Sequence, residues 1–172
     1  MTAADLFRFL DAGISPFHVA DEIVSRLVES GSRALDPGRT WSIDAGEIVH
    51  LRLGGTVVAY RAGGADAADA PVVMAAAHTD SPGLQLKHRS ATIVDGMLQV
   101  PVEVYGGPIV ATWLDRELIV VGRIAIKNDG GAPAVRPFTT RRPVGIIPNL
   151  AIHLNREVNK SLTYNRQDHL KV

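Results

Sequence analysis

The feature that most constrains the fold is an uninterrupted apolar run at residues 71–77, which ends directly at His78, Thr79 and Asp80. A run without polar alternation is typical of a strand buried on both faces, in a sheet that has helices on either side. Polar residues at the end of such a strand occupy the usual location of an α/β active site. The run therefore predicts an α/β fold with a candidate site at residues 78–80.

Two helices are predicted ahead of this run. Ser15 followed by Pro16 is an N-cap and first-turn pair, because proline has no amide hydrogen to leave unsatisfied there. Apolar residues then recur at helical spacing until Gly31, which favours a stop. A shorter helix over residues 4–11 is predicted to precede this one.

Extended structure is predicted from Glu47 onwards. Two β-rich runs, 48–53 and 56–60, flank a Gly-Gly pair, which indicates a hairpin. Residues 62–70 are rich in Gly, Ala and Asp and predict an exposed loop. Short β-like runs broken by turns follow up to residue 127, and Pro148 introduces a predicted helix over residues 149–158.

Charge and composition exclude several classes of partner. Eighteen basic residues balance eighteen acidic ones, and no basic stripe is present, so a nucleic-acid partner is not expected. The absence of cysteine excludes a disulfide framework, a thiolate zinc site and a cysteine nucleophile. The apolar runs are far shorter than the roughly 20 residues of a membrane helix, and no signal-like N-terminus is visible. We expect a cytoplasmic protein without a membrane partner.

The sharpest chemical signal is the His78-Thr79-Asp80 tripeptide. A neutral imidazole is a good zinc ligand, and on an extended chain His78 and Asp80 share one face. A carboxylate there can fix the tautomer of a ligating histidine, or it can orient a separate general base. Judged on the tripeptide alone, a hydrogen-bonded histidine at a strand end, with Asp80 as a turn residue, is the more frequent arrangement.

The wider sequence around this tripeptide resembles a known family. Residues 76–84, Ala-Ala-His-Thr-Asp-Ser-Pro-Gly-Leu, resemble the first metal-ligand segment of the aspartyl aminopeptidases, a family of dinuclear zinc exopeptidases. The other similar segments occur in the same order and span nearly the whole chain. They are Ser15-Pro16-Phe17-His18, Val104-Tyr105-Gly106-Gly107, Thr-Trp-Leu-Asp-Arg-Glu-Leu at 112–118, Ile-Pro-Asn-Leu-Ala-Ile-His-Leu at 147–154, and Gln-Asp-His-Leu at 167–170.

The resemblance implies roles for individual residues. His78 would be a ligand of one zinc ion, and Asp80 would be the catalytic-site aspartate that orients its neighbours. His153 matches a histidine that reaches into a neighbouring subunit's active site and contacts the peptide substrate. Spacing alone would favour a packed helix histidine at that position. The remaining histidines are interpreted as structural or surface residues; they are His18, His50, His88 and His169.

The resemblance also implies a domain organisation. Residues 1–88 would form the N-terminal part of an α/β/α zinc-exopeptidase catalytic domain, and residues 89–172 would begin a β-rich inserted dimerisation domain of a homo-oligomer. The other acidic ligands, the glutamate base and a late histidine would lie downstream of residue 172, in a missing C-terminal half.

We therefore expect an N-terminal fragment of a zinc metalloaminopeptidase that releases N-terminal, acidic residues from peptides. The complete enzyme would hold two zinc ions. This chain alone is not expected to be catalytically competent, since His78 by itself cannot replace the three protein ligands that a catalytic zinc usually has. The alternative is a catalytically inactive binding or dimerisation module.

Overall fold

The computed structural model describes residues 2–64, 71–89, 91–161 and 163–172. They form two compact units, and their helices and small sheets together give mixed α/β structure, which confirms the predicted α/β class. Unit 1 comprises Met1–Asp80 and Val121–Pro137, and unit 2 comprises Ser81–Val120 and Phe138–Val172. The domain limit expected at residue 88 stays a prediction.

Two capped helices open unit 1. Helix α1 spans Ala3–Ala12, and its capping box consists of Thr2 and Asp5, each of which accepts from the other's backbone amide. Helix α2 spans Pro16–Glu29, and the Ser15 hydroxyl caps its first turn. Such caps satisfy amides that have no partner within the helix. Both predicted helices are confirmed.

A three-stranded sheet follows in the order β1-β2-β3. Strand β1 (Arg33–Ala34) runs parallel to β2 (Ile48–Leu53), and β2 pairs antiparallel with β3 (Thr56–Arg61). Of the two turn glycines, Gly54 has a positive φ of 64° and Gly55 does not, as in a type II′ turn. The predicted hairpin is confirmed.

The interior of unit 1 contains Ala20 of α2 and Val49 of β2, both buried. Two buried polar side chains lie with them. The Ser32 hydroxyl and His50 Nδ1 are 2.9 Å apart, so each has a hydrogen-bond partner. Satisfied polar groups of this kind avoid the cost of an unpaired buried group.

The prediction of a buried strand over residues 71–77 is wrong. These residues adopt no helix or strand and are exposed; the relative exposure of Val73 is 95%. Among the described residues, no strand pairs with them. A strand buried on both faces needs neighbours that come from distant sequence, and an apolar pattern cannot supply them by itself. Of the loop predicted just upstream, residues 65–70 lie outside the described residues.

The strands of unit 2 pair mainly between near neighbours in sequence. An outer antiparallel pair, β4 (Gly83–Leu86) with β7 (Val102–Tyr105), encloses a short antiparallel hairpin of β5 (Thr92–Val94) and β6 (Met97–Gln99). A further pair, β8 (Val121–Ile126) with β9 (Ala134–Thr139), lies later in the chain; β8 and residues 134–137 of β9 belong to unit 1. A 3-10 helix spans Val110–Trp113.

The core of unit 2 gathers residues that are far apart in sequence. Val102, Ile147 and Leu170 are buried together, and partly buried apolar side chains such as Leu84 and Leu114 pack around them. Single backbone bridges connect these segments, for example from Leu114 to Ile147. Unit 2 is therefore closed by long-range contacts rather than by one extensive sheet.

The helix predicted over residues 149–158 is also wrong. The segment forms isolated turns, such as the one closed by the Asn155 amide on the Ala151 carbonyl at 3.2 Å. The Asn149 side chain accepts from the next backbone amide, which competes with helical pairing. Leu150 and Leu154 are exposed. Because no apolar face is buried here, helix propensity alone does not stabilise so short a segment.

Candidate metal centre

His78 and Asp80 are brought together at the C-terminal end of the exposed apolar run. His78 Nδ1 lies 3.0 Å from Asp80 Oδ1. The His78 side chain is 89% exposed and the Asp80 side chain 33%. An ionised carboxylate can only accept a hydrogen bond, so the chemistry of this contact assigns the donor hydrogen to His78 Nδ1. In the neutral imidazole the lone pair of Nε2 is then available to a metal ion.

The intervening residue faces a different part of unit 1. The Thr79 hydroxyl donates to the backbone carbonyl of Gly55 at 2.9 Å. Thr79 lies in a bend between His78 and Asp80, and its side chain is directed at the Gly55 carbonyl. The sequence analysis assigned no role to Thr79 or Gly55. They are separated by 24 positions, and no motif or periodicity connects them.

The donor set fits one corner of a zinc site. An imidazole whose Nδ1 is held by a carboxylate is a common zinc ligand arrangement, since the carboxylate fixes both tautomer and orientation. Within the described ranges, no group of three or more His, Cys, Asp or Glu side chains could together hold a metal ion. The residues present therefore supply one candidate ligand, His78, and one orienting carboxylate, Asp80.

His153 belongs to unit 2, whereas His78 and Asp80 belong to unit 1. Its side chain is exposed, and its backbone lies in a turn rather than a helix. The alternative of a packed helix histidine is therefore wrong. An exposed imidazole is accessible to a ligand, but its role in substrate contact stays a prediction.

The other histidines have local surroundings. His18 Nδ1 lies 2.7 Å from the Ser15 hydroxyl at the start of α2. His169 Nδ1 accepts from the Asn165 backbone amide at 3.3 Å, and His88 is exposed in a turn. None of these is placed beside a second metal-binding side chain within the part of the chain that the structure describes.

Two carboxyl groups outside the candidate centre, those of Glu47 and Asp5, have strongly lowered pKa values. The Arg33 guanidinium, together with the Asp44 backbone amide, lowers the pKa of Glu47 from 4.5 to about 2. Hydrogen bonds from the Thr2 amide and hydroxyl, followed by one from Arg8, lower the pKa of Asp5 to about 2. These shifts accompany ion pairs and a helix cap, and we assign them to structure rather than to catalysis.

Among the described residues, no helix is both long enough and apolar enough to cross a membrane.

Fold and site together define an α/β protein with a candidate metal centre built on a histidine and an aspartate. Residues 9–172 match the family described as aminopeptidase I zinc metalloprotease (M18), and the chain belongs to this family. The resemblance to a zinc aminopeptidase family, drawn from the sequence, is thereby confirmed.

Curated relatives agree with this assignment. The chain is 37% identical over 166 residues to "Probable M18 family aminopeptidase 2" of Stutzerimonas stutzeri (strain A1501). The matched region covers 96% of this chain and 38% of the relative. The protein of the same description from Pseudomonas fluorescens (strain SBW25) is 36% identical over the same share of each chain. The chain thus spans about 38% of the length of these relatives.

Solved structures share the fold. A chain in the cryo-EM structure of the Ape4 and Nbr1 complex matches with a TM-score of 0.93 and 31% identity, over 98% of this chain and 33% of that one. The mApe1 of Chaetomium thermophilum matches with a TM-score of 0.79 and 27% identity, over 91% of this chain and 36% of that one. The M18 aminopeptidase of Thermotoga maritima matches with a TM-score of 0.75 and 20% identity, over 98% of this chain and 37% of that one. At this identity the match shows the fold alone.

Proposed function

We propose that this chain is the N-terminal part of a zinc metalloaminopeptidase that releases N-terminal residues, preferentially acidic ones, from peptides. The observation that carries the proposal is the exposed His78 imidazole held by Asp80 at 3.0 Å, in a chain of the M18 family. His78 is the metal ligand in this proposal, and Asp80 orients it. The chain covers only 38% of the length of its curated relative, which supports the proposal that further ligands come from sequence outside this chain.

The contribution of this chain's residues follows from their chemistry. Asp80 accepts from His78 Nδ1, which keeps the imidazole in one tautomer and leaves the Nε2 lone pair available to a metal ion. Two zinc ions, when bound in the complete site, would polarise the substrate carbonyl as Lewis acids. His153 contacts the peptide substrate from a neighbouring subunit in this proposal, and its exposure in unit 2 is compatible with that role.

A homo-oligomer is part of the same proposal. The mApe1 of S. cerevisiae, which shares the fold at 22% identity and a TM-score of 0.71, is a dodecamer. Exposed apolar side chains on the β5–β6 hairpin, including Ile93 and Leu98, offer surface for association. The cytoplasm is the proposed compartment, since a chain without cysteine has no need of an oxidising environment.

A chimaera tests the proposal. This chain would replace the matching 38% of the Stutzerimonas stutzeri relative, so that the remainder supplies the missing ligands. We expect zinc-dependent release of the first residue from peptides that begin with Asp or Glu, and slower release of Ala or Leu. His78→Ala should lower kcat/KM at least about 100-fold, and Asp80→Asn by about 10- to 100-fold, the range for a residue that orients a metal ligand.

His88→Ala, which removes an exposed histidine of unit 2, is the matched control and should keep full activity. The unaltered relative is the positive control. A chimaera that folds and binds zinc but does not hydrolyse any of the peptides would contradict the proposal, as would full activity of His78→Ala.

The exposed β5–β6 hairpin also favours a second function, a catalytically inactive binding or dimerisation module. This reading expects the 172-residue chain to form a defined oligomer and to unfold cooperatively without zinc. Sedimentation and thermal unfolding of the zinc-free chain distinguish it from the first proposal. Aggregation without a cooperative transition would count against the module.

A further inference from the structure

Thr79 connects the candidate metal centre to the rest of unit 1. Its hydroxyl donates to the Gly55 carbonyl at 2.9 Å, and the residue is partly buried, unlike the exposed His78 beside it. Because Thr79 lies between His78 and Asp80, anchoring it at Gly55 restricts the movement of the backbone that carries both neighbours.

The acceptor of this hydrogen bond lies on a well-fixed turn. A Cβ atom at Gly55 would lie 3.3 Å from Pro16 Cβ and 3.6 Å from the Phe17 ring. The turn is thus packed directly against the first residues of α2. A turn that leaves no free room for even one added carbon is closely packed, so the Gly55 carbonyl is a well-defined point of attachment.

Arginine side chains hold the same turn. Arg52 donates from Nε to the Gly54 carbonyl at 3.1 Å and from Nη2 to the Phe17 carbonyl at 3.3 Å, and it pairs with Asp21. The Arg123 guanidinium lies 3.7 Å from the centroid of the Phe17 ring, a cation–π contact. We call this arrangement of the Gly54-Gly55 turn with the first turn of α2 the turn platform.

The segment upstream of the centre offers no comparable support. Residues 71–77 adopt no strand and are exposed, so no β-ladder fixes residues 78–80 from that side. We propose that Thr79 is a positioning residue, whose hydroxyl fixes the backbone on the turn platform so that His78 and Asp80 keep their contact. The proposal rests on the proposed function for the meaning of His78 as a metal ligand, though not for the hydrogen bond itself.

The tautomer of His78 provides the test. The metal-free 172-residue chain, labelled with 15N-histidine, is examined by two-bond 1H–15N correlation at a pH about two units above the ordinary histidine pKa of about 6.5. His78→Asn assigns the signal. In the wild-type chain we expect the tautomer that carries hydrogen on Nδ1, because Asp80 accepts from that atom.

Thr79→Val keeps the volume and removes the hydroxyl. It should lower the ratio of the Nδ1–H to the Nε2–H tautomer about fivefold, the change in an equilibrium that corresponds to one hydrogen bond. Thr79→Ser keeps the donor and should leave the ratio unchanged. Gly55→Ala adds a Cβ 3.3 Å from Pro16 Cβ, so the turn or Pro16 must shift by a few tenths of an ångström. This variant should change the ratio in the same direction as Thr79→Val, and it tests the proposal if Thr79→Val does not fold.

Thr112→Val is the matched control, since the Thr112 hydroxyl also donates to a backbone carbonyl, that of Ile109 at 2.8 Å, in unit 2. It should leave His78 unchanged. The proposal is overturned if folded Thr79→Val keeps the wild-type ratio, or if Thr79→Ser changes it as much as Thr79→Val does.

The two proposals fail separately. An inactive chimaera together with a tautomer shift in Thr79→Val would remove the proposed function and leave Thr79 as the residue that positions the pair. An active chimaera together with an unchanged tautomer ratio in Thr79→Val would support the proposed function and remove the positioning role of Thr79.

Discussion

Unit 1 contains two apolar segments that have opposite outcomes, the β2–β3 hairpin and residues 71–77. Both are rich in β-branched or other apolar residues. Val49 in the hairpin is 1% exposed, whereas Val73 in the run is 95% exposed. The hairpin strands pair across a two-residue turn, and no described strand pairs with the run. An apolar segment thus forms a paired strand only where its partner is available, and within the hairpin only the side chains that face the interior of unit 1, such as Val49, are buried.

The largest expected effect comes from making the same substitution in both segments. Val49→Ala should lower the free energy of unfolding by about 2 kcal/mol, because two buried methyl groups are lost and a small cavity remains. Val73→Ala should change it by less than about 0.5 kcal/mol, as exposed substitutions do. Urea denaturation of both variants at one pH measures the difference.

Equal losses in the two variants would break the comparison, since they would mean that Val73 is buried in solution. An intermediate loss for Val73 that depends on protein concentration would indicate that copies of the chain cover the run.

A smaller effect is expected at the Gly54-Gly55 turn, which joins the two strands of the hairpin. Gly54 has a φ of 64°, a region that costs an L-residue with a Cβ about 1 kcal/mol or more. Gly54→Ala should therefore lower the free energy of unfolding by about 1 kcal/mol. Gly64→Ala is the control, because Gly64 is exposed, has no positive φ and would meet nothing with an added Cβ. Unfolding curves in urea would show whether only the first variant is destabilised.

The smallest expected effect concerns the ion pair beside the hairpin. Glu47 accepts from Arg33 and from the Asp44 amide at 3.0 Å each, and its pKa is lowered from 4.5 to about 2. The unfolded chain therefore takes up this proton at a higher pH than the folded chain does. The stabilisation is fully present above about pH 4.5 and is lost as the pH falls towards about 2.

Glu47→Gln should flatten the decrease of the urea midpoint between those two pH values. Glu29→Gln, at an exposed position of α2, should leave the decrease as it is. The effect is small because water and salt screen an exposed pair. An unchanged pH dependence in Glu47→Gln would show that Glu47 is not protected from protonation in the folded chain.

Local signals in the sequence predicted local structure. The Ser15-Pro16 cap identified α2 and the Gly-Gly pair identified the hairpin. In both cases the hydrogen bonds and the turn lie within a few positions of these residues. The two wrong predictions, a strand at 71–77 and a helix at 149–158, both depended on burial against distant segments. Periodicity records which residues could be buried and not whether a partner covers them.

The candidate site divides in the same way. His78 and Asp80 could be named from the sequence because the segments around them resemble a known family, and the structure brings them to 3.0 Å. The contact from Thr79 to Gly55 could not be named, because it joins two segments that only folding brings together.

By itself, the sequence determined the family, the two N-terminal helices and the hairpin, and it predicted His78 and Asp80 as a metal ligand and its orienting carboxylate. Each of these depends on residue identity or on contacts across a few positions. Tertiary structure decided that Val49 is buried and Val73 is exposed, and that Thr79 docks on the turn platform. Those outcomes depend on long-range contacts, whose free energy appears only when both partners are present in space.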